Sequence, residues 1–217
     1  MSILRIDASI QGDRSFSSAL ADLVQREIAA AHPDEPVVTR HLGNEPLPAD
    51  AWQTAVLANF TDPTLRTPAQ RDAVALAQTL TRELTEADAA VLALPLYNWG
   101  VSQHVKTWID LAIAGTAPGT RLLDGPPVVL VTTRGGAYGP GTPKEGWDHS
   151  IGYLRRILAD VWGAELTVIE RELTLFGLNP ALDGLADLAA TTKQQAEQAA
   201  VEAGQALADR LETRVAA

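Results

Sequence analysis

The chain alternates five short apolar segments with longer segments of helical periodicity, and this alternation restricts the possible folds more than any other feature. Strands that alternate with helices are typical of a parallel, doubly wound α/β sheet with helices on both faces. The segment 89–95 (AAVLALP) is apolar on both sides, which indicates a central strand covered by two helical layers. The predicted strands span residues 3–9, 37–42, 89–95, 127–133 and a part of 166–176.

Helices are predicted between these strands and after the last one. Thr67 and Pro68 suit the N-cap and the first position of a long helix. The apolar residues Val101, Val105 and Trp108 fall on one helical face. The remaining helices are expected near 19–31, 50–60, 151–161 and 182–213. Because 217 residues suffice for one sizeable core, we predict a single domain, 1–217. For its five-stranded sheet we predict the doubly wound strand order 2-1-3-4-5.

Composition excludes several classes of function. The net charge of −10 and the absence of a Lys/Arg run argue against a nucleic-acid partner. The chain has no cysteine, so disulfides and thiolate catalysis are excluded. The four histidines lack H-x-x-x-H or H-E-x-x-H spacing, so no metal site is predicted. No apolar run is long enough to cross a membrane, and residues 1–5 lack a signal-peptide layout, so we expect a cytoplasmic protein without a membrane partner.

A polar turn with several serines, 9–18, joins the first strand to its helix. A helix N-terminus presents unpaired N–H groups and binds anions, and the hydroxyls of Ser9, Ser15 and Ser17 extend such a phosphate site. The turn is neither G-x-G-x-x-G nor a P-loop, which argues against a dinucleotide pyrophosphate site. Serine is also a common N-cap residue, so plain helix capping explains the turn equally well.

Two further loops follow predicted strands. Pro95-Leu96-Tyr97-Asn98-Trp99-Gly100 combines a phenol, an amide and an indole, and the Asn98 amide suits the polar edge of a pyrimidine-like ring. Alternatively, the aromatic residues cover the end of the sheet. Thr133-Arg134-Gly135-Gly136 ends the fourth strand with paired glycines, which allow a ligand to approach the backbone; a plain turn is the alternative. Tyr138 and Trp147 beyond it either line a pocket or hold the loop.

The three loops are more informative together than apart. In the order 2-1-3-4-5, the ends of strands one, three and four lie side by side at the point where the sheet changes direction. One ligand is therefore able to contact all three loops. No G-x-S-x-G element follows a strand, so a serine hydrolase is not indicated.

Four stretches together resemble the FMN-dependent NADH azoreductases, which also act as quinone reductases and have a flavodoxin-like fold. They are S-x-x-x-x-x-S-F-S-S from Ser9, L-R-T-P-A-Q-R from Leu65, P-L-Y-N-W-G-V-S-x-x-x-K-x-W-I-D from Pro95 and T-T-R-G-G-A-Y from Thr132. The resemblance covers nearly the whole chain. It implies that the first stretch holds the FMN phosphate and that the other loops hold the flavin ring. The implied cofactor-binding residues are Ser9, Ser15, Phe16, Ser17, Pro95, Leu96, Tyr97, Asn98, Trp99, Thr133, Arg134, Gly135 and Gly136.

The same resemblance implies a ping-pong hydride transfer from NADH or NADPH, through FMN, to a quinone or azo compound. It implies no catalytic side chain, and a homodimer with its active sites at the subunit interface, to which the helix from Val101 contributes. Two alternatives stay open: a flavodoxin-type electron carrier, and a reductase of one aromatic metabolite. The second rests on the segment 116–124, which lacks the aromatic residues of the family, and that departure puts azo-dye reduction in doubt.

Overall fold

The computed structural model describes residues 1–215 of the chain, with side chains up to Thr213. Its centre is a five-stranded parallel sheet with the strand order β2-β1-β3-β4-β5, which confirms the predicted topology. The strands are β1 Ile3–Asp7, β2 Val37–His41, β3 Ala89–Ala93, β4 Pro127–Thr133 and β5 Glu165–Arg171. The last two residues of the predicted domain lie outside the described part.

Six α-helices surround the sheet in the described part of the chain. They are α1 Phe16–Ala31, α2 Ala51–Ala58, α3 Pro68–Thr85, α4 Gln103–Ala114, α5 Ile151–Arg155 and α6 Ala186–Val215. A π-helical turn, Arg156–Val161, continues α5, and a 3₁₀ segment, Pro180–Leu185, precedes α6. No helix of the described residues is both long and apolar enough for a bilayer span.

Side chains of the central strands point alternately to the two faces of the sheet, and each face has its own hydrophobic core. Ala90 and Leu92 of β3 pack with α2–α5, whereas Val91 packs with α1 and α6 on the opposite face. Every residue of β3 and β4 is buried, as expected for strands with helices on both sides. In the α2–α5 core, the rings of Trp108 and Trp162 meet edge to face with centroids 5.6 Å apart.

Local signals explain where the helices begin. Thr67 caps α3 and forms a capping box with Gln70, as predicted from the Thr-Pro pair. Ser102 caps α4, so this helix starts two residues later than the apolar pattern suggested. Strands one and three are shorter than predicted, yet Ala8 and Leu94 still donate to the backbone of neighbouring strands. The loops at this edge therefore leave the sheet from fixed positions.

The strand order places a crevice beside β1 and β3. After β1 the chain enters α1 on one face, and after β3 it enters α4 on the other face. Because the helices that follow these two neighbouring strands lie on opposite faces, the loops at the strand ends leave a gap at the carboxyl edge of the sheet. The candidate site lies in this gap.

Candidate functional site

A cleft at the carboxyl edge brings together the three loops that the sequence singled out. Its walls contain eight of the thirteen predicted residues: Ser9, Phe16, Ser17, Pro95, Leu96, Tyr97, Thr133 and Gly135. The other five, Ser15, Asn98, Trp99, Arg134 and Gly136, belong to the same loops but do not line it. One concave site therefore receives residues from the ends of β1, β3 and β4.

The serine turn begins α1. The Ser15 hydroxyl accepts from the backbone N–H of Ser18 at 3.1 Å, so the predicted capping role is confirmed for Ser15. The Ser15 and Ser17 hydroxyl oxygens lie 3.1 Å apart, and both side chains are buried. Capping uses only one of the unpaired N–H groups in the first turn. The others, with the Ser17 and Ser9 hydroxyls, remain suited to an anion.

Tyr97 joins the loop after β3 to the loop after β1. Its phenol oxygen accepts from the Ile10 backbone N–H at 3.1 Å and lies 3.3 Å from the Ser9 hydroxyl. Tyr97 also exchanges backbone hydrogen bonds with Gly100, which closes a tight turn. The two predicted binding loops are therefore held together by one side chain.

Asn98 and Trp99, inside that turn, both have left-handed backbone, with φ of 46° and 66°. Asparagine adopts this conformation at low cost, but tryptophan does so rarely, which marks a strained turn. The Trp99 carbonyl accepts from the His149 N–H at 2.9 Å. The Trp99 ring meets Trp147 edge to face at 6.2 Å, and each indole is about half exposed. Trp147 thus contacts the predicted ring-binding loop, although it does not line the cleft itself.

The loop after β4 contributes backbone and a buried cation. Thr133 accepts from the Leu96 N–H at 3.0 Å, which joins this loop to the one after β3. A Cβ atom at Gly135 would lie 2.7 Å from a methyl group of Leu175, so glycine leaves room for that side chain. The approach of a ligand to this backbone stays a prediction. The Arg134 side chain is buried and bound to carboxylates. Burial lowers the pKa of the Arg134 guanidinium, but Glu170 and Asp148 together raise it by more, so the net shift is upward.

Three lining residues were not predicted: Gln11, Thr174 and Leu175. Thr174 and Leu175 follow β5, which ends at the same edge of the sheet. The predicted strand region extended to Phe176, whereas β5 ends at Arg171 and Leu173 is left-handed with φ of 59°. The rule that ligands bind at the carboxyl ends of strands would have drawn attention to this loop, had the end of β5 been placed correctly.

A second cation lies near the serine turn. The Arg171 guanidinium lies over the Phe16 ring, 4.6 Å from its centroid. Its Nε atom is buried without a hydrogen-bond partner among the described residues, and burial lowers its pKa. An arginine remains protonated under such conditions. The beginning of α1 therefore combines helix N–H groups, serine hydroxyls and a nearby positive charge. Among the described residues, no group of three or more His, Cys, Asp or Glu side chains forms a possible metal site.

Many known proteins resemble this chain in sequence or in fold, and the names of several state an activity. A family model described as a flavodoxin-like fold matches residues 1–207. A protein of Frankia casuarinae named FMN-dependent NADH:quinone oxidoreductase is 38% identical over 203 residues, covering 91% of this chain and 96% of that protein. A protein of Streptomyces avermitilis with the same name is 36% identical over 215 residues, covering 96% and 97%.

Among solved structures, an FMN-dependent NADH-azoreductase from Bacillus anthracis in complex with FMN has a similar fold, with a TM-score of 0.72 at 18% identity. The match covers 94% of this chain and 100% of that one. An azoreductase from another strain of Bacillus anthracis gives a TM-score of 0.74 at 20% identity, with coverage of 94% and 99%. At this identity the structures support the fold, whereas the sequence matches carry the family. The chain therefore belongs to the flavodoxin-like family that contains the proteins named FMN-dependent NADH:quinone oxidoreductase.

Proposed function

We propose that the chain is an FMN-dependent oxidoreductase that transfers electrons from NADH to quinones. The observation that carries this proposal is the single cleft built from the loops after β1, β3 and β4, in a chain whose relatives over 91% of its length bear that name. When bound, FMN would supply the chemistry by accepting hydride from NADH and passing two electrons to the acceptor in a separate, ping-pong half-reaction. The resemblance extends the acceptors to azo compounds and the donors to NADPH.

The cleft fits the two chemically different ends of FMN. The first turn of α1, with Ser9, Ser17 and the Arg171 charge nearby, suits the phosphate. Pro95, Leu96 and Gly135 form less polar walls that suit a ring. In this proposal the protein positions the ring, excludes water from one side and needs no side chain as a general acid. The remaining predicted residues, among them Ser15, Asn98 and Gly136, would contact the cofactor from the rim or through the backbone.

The size of the cleft supports a role for a second subunit. It encloses about 120 Å³, whereas pockets that bury a whole ligand of drug size typically enclose about 300–1,000 Å³. Part of the ring would therefore lie on the rim near Asn98 and Trp99. We infer that a second copy of the chain covers it in a homodimer.

The α2–α4 layer supports that inference because it carries exposed apolar side chains. Phe60 is 87% exposed, and Leu57 and Ile113 are about half exposed. Phe60 and Ile113 line a groove between these helices. Exposed apolar side chains along one groove are typical of interaction sites. The predicted contribution of the helix after Val101 agrees with this position, since Ile113 belongs to α4.

The decisive experiment is to purify the protein and record its visible spectrum before and after NADH is added without oxygen. A flavin spectrum that NADH bleaches and that a quinone restores is the expected result. Parallel lines in double-reciprocal plots would support ping-pong kinetics. A colourless protein that takes up no added FMN would contradict the proposal.

Two alternatives give different results in the same experiment. A flavodoxin-type carrier would bind FMN without steady-state NADH oxidation in the presence of quinone. A reductase of one aromatic metabolite would be poorly active on dyes and simple quinones; the aromatic-free 116–124 segment, with only Leu122 and Leu123 buried, favours it over a dye reductase. The proposed enzyme would act in the cytoplasm, where NADH is available.

A further inference from the structure

We infer that Arg134 is a positioning residue, which fixes the walls of the cleft from behind instead of binding the ligand with its side chain. The inference rests on the proposed function only in that FMN is the ligand used to test it. Arg134 follows the last residue of β4, and its side chain is only 6% exposed. Its direct contacts reach the segments after β4 and β5, and one of its partners, Asp148, lies beside the residue that binds the loop after β3.

The guanidinium binds carboxylates from two segments. Its Nε donates to Asp148 at 2.5 Å, and one terminal nitrogen lies 2.6 Å from Glu170 and 3.3 Å from Glu172. Burying a charge without partners is strongly unfavourable, so the guanidinium requires these carboxylates. Arginine is suited to this role because its planar fork contacts several oxygens at fixed angles, which lysine does not.

Two of the carboxylates also hold backbone. The second oxygen of Glu172 accepts from the N–H groups of Tyr138 at 2.9 Å and Gly139 at 3.3 Å. The second oxygen of Asp148 accepts from Ser150 at 2.7 Å and Ile151 at 3.0 Å, at the start of α5. The Arg134 guanidinium thus fixes the carboxylates that fix the loop after β4.

The Arg134 backbone connects the same residue to the cleft wall. Its N–H donates to the Arg171 carbonyl at 2.8 Å, and its carbonyl accepts from the Thr174 N–H at 3.1 Å. The adjacent Gly135 carbonyl accepts from the Leu175 N–H at 3.1 Å. Gly135, Thr174 and Leu175 all line the cleft, so a displaced Arg134 would move three lining residues together.

The loop after β3 is connected through the neighbour of Asp148. His149 donates its N–H to the Trp99 carbonyl at 2.9 Å, which supports the left-handed turn at Asn98 and Trp99. A residue that fixes Asp148 therefore also helps to fix that turn. Binding geometry of this kind depends on supporting contacts outside the ligand-contacting residues.

The test compares Glu172→Gln with Glu170→Gln. Both variants remove one carboxylate charge from the same guanidinium, but of these two carboxylates only Glu172 accepts backbone hydrogen bonds from the loop after β4 in the described part of the chain. We expect E172Q to raise the FMN dissociation constant about tenfold, and E170Q to raise it less than threefold. Arg134→Lys, which keeps the charge but loses the fork, should behave as E172Q does. The dissociation constant is measured by quenching of FMN fluorescence at a temperature at which each variant is folded.

Amide hydrogen exchange of the full chain without added FMN provides a second readout. In E172Q, exchange at Tyr138 and Gly139 should be at least about tenfold faster than in the wild type, and in E170Q it should be unchanged. A role in global stability alone would lower the melting temperature without this local pattern.

The results that would contradict the role of Arg134 differ from those that would contradict the proposed function. Equal FMN dissociation constants for E172Q and E170Q, or faster exchange in E172Q with wild-type FMN affinity, would overturn the inference. If R134K does not fold, E172Q still decides. A wild-type protein that binds FMN but does not oxidise NADH would contradict the proposed function and leave the comparison of affinities valid. If the wild type binds no FMN, the proposed function fails, and the exchange pattern alone decides whether Glu172 fixes this backbone.

Discussion

Replacing Gly43 by alanine should damage the cofactor site although Gly43 does not line the cleft. Gly43 follows β2 and lies directly behind the serine turn. A Cβ atom built there would be 2.0 Å from the Ser9 carbonyl oxygen and 2.6 Å from its carbon. Real Cβ contacts essentially never fall below 3.0 Å, so one of the two backbones has to move by about 1 Å.

The magnitude follows from the nature of the clashing atom. Because the Ser9 carbonyl is backbone, no side-chain rotation relieves the clash. Overpacking of this kind costs about 1–3 kcal/mol, which for a chain of this size lowers the melting temperature by about 2–12 °C. A misplacement of about 1 Å can cost about 100-fold in a reaction rate; by analogy, we expect a 10- to 100-fold loss of FMN affinity.

The assay combines a thermal melt with titration of FMN by fluorescence quenching. Gly152→Ala is the matched control, because nothing lies within 4 Å of its built Cβ and the position is helical. That control should keep its FMN affinity and gain up to about 1 kcal/mol of stability. A G43A variant with wild-type melting temperature and wild-type FMN affinity would refute the reasoning.

Three further predictions concern the cleft and the proposed dimer. Tyr97→Phe removes the hydroxyl that joins the loops after β1 and β3. If the binding arrangement of the two loops is disfavoured by the energy of one or both contacts, at about 1 kcal/mol per hydrogen bond, FMN affinity should fall about 5- to 30-fold in the same titration; an unchanged affinity would argue against this link. Trp147→Ala should raise KM for two-ring quinones more than for benzoquinone, with NADH reduction of FMN unaltered, because Trp147 supports Trp99 at the rim; equal effects on both quinones would contradict this role. Phe60→Glu should convert the dimer to monomers in light scattering, whereas Leu188→Glu on α6, on the opposite face, should not; a dimeric F60E would place the interface elsewhere.

Local patterns were sufficient for the positions of the strands and for most helix boundaries. The Thr67-Pro68 pair determines the start of α3 through contacts within one turn, so it can be read without knowledge of the fold. The two-sided apolar pattern of β3 reflects burial between two helical layers, which any sequence at that position has to satisfy. The three loops of the cleft follow from the strand order because parallel strands end at one edge.

The ion pairs of Arg134 and the end of β5 depend on long-range contacts, which local sequence patterns do not reveal. Arg134 reaches Asp148, 14 residues away, and Glu172, 38 residues away, and no spacing pattern connects them. The early end of β5 has the same origin: Glu172 turns toward the amides of Tyr138 and Gly139 instead of extending the strand. Thr174 and Leu175 enter the cleft as a result, so they escaped a prediction based on local periodicity.

The left-handed backbone at Asn98 and Trp99 also restricts which amino acids can evolve in the turn. Asparagine and glycine tolerate this region, whereas β-branched residues are strongly disfavoured there. Backbone strain therefore limits the amino acids possible at position 99 independently of any requirement of substrate binding. A library that randomises this turn to change acceptor preference should omit valine, isoleucine and threonine at both positions, since those variants would lose the turn and not merely alter its specificity.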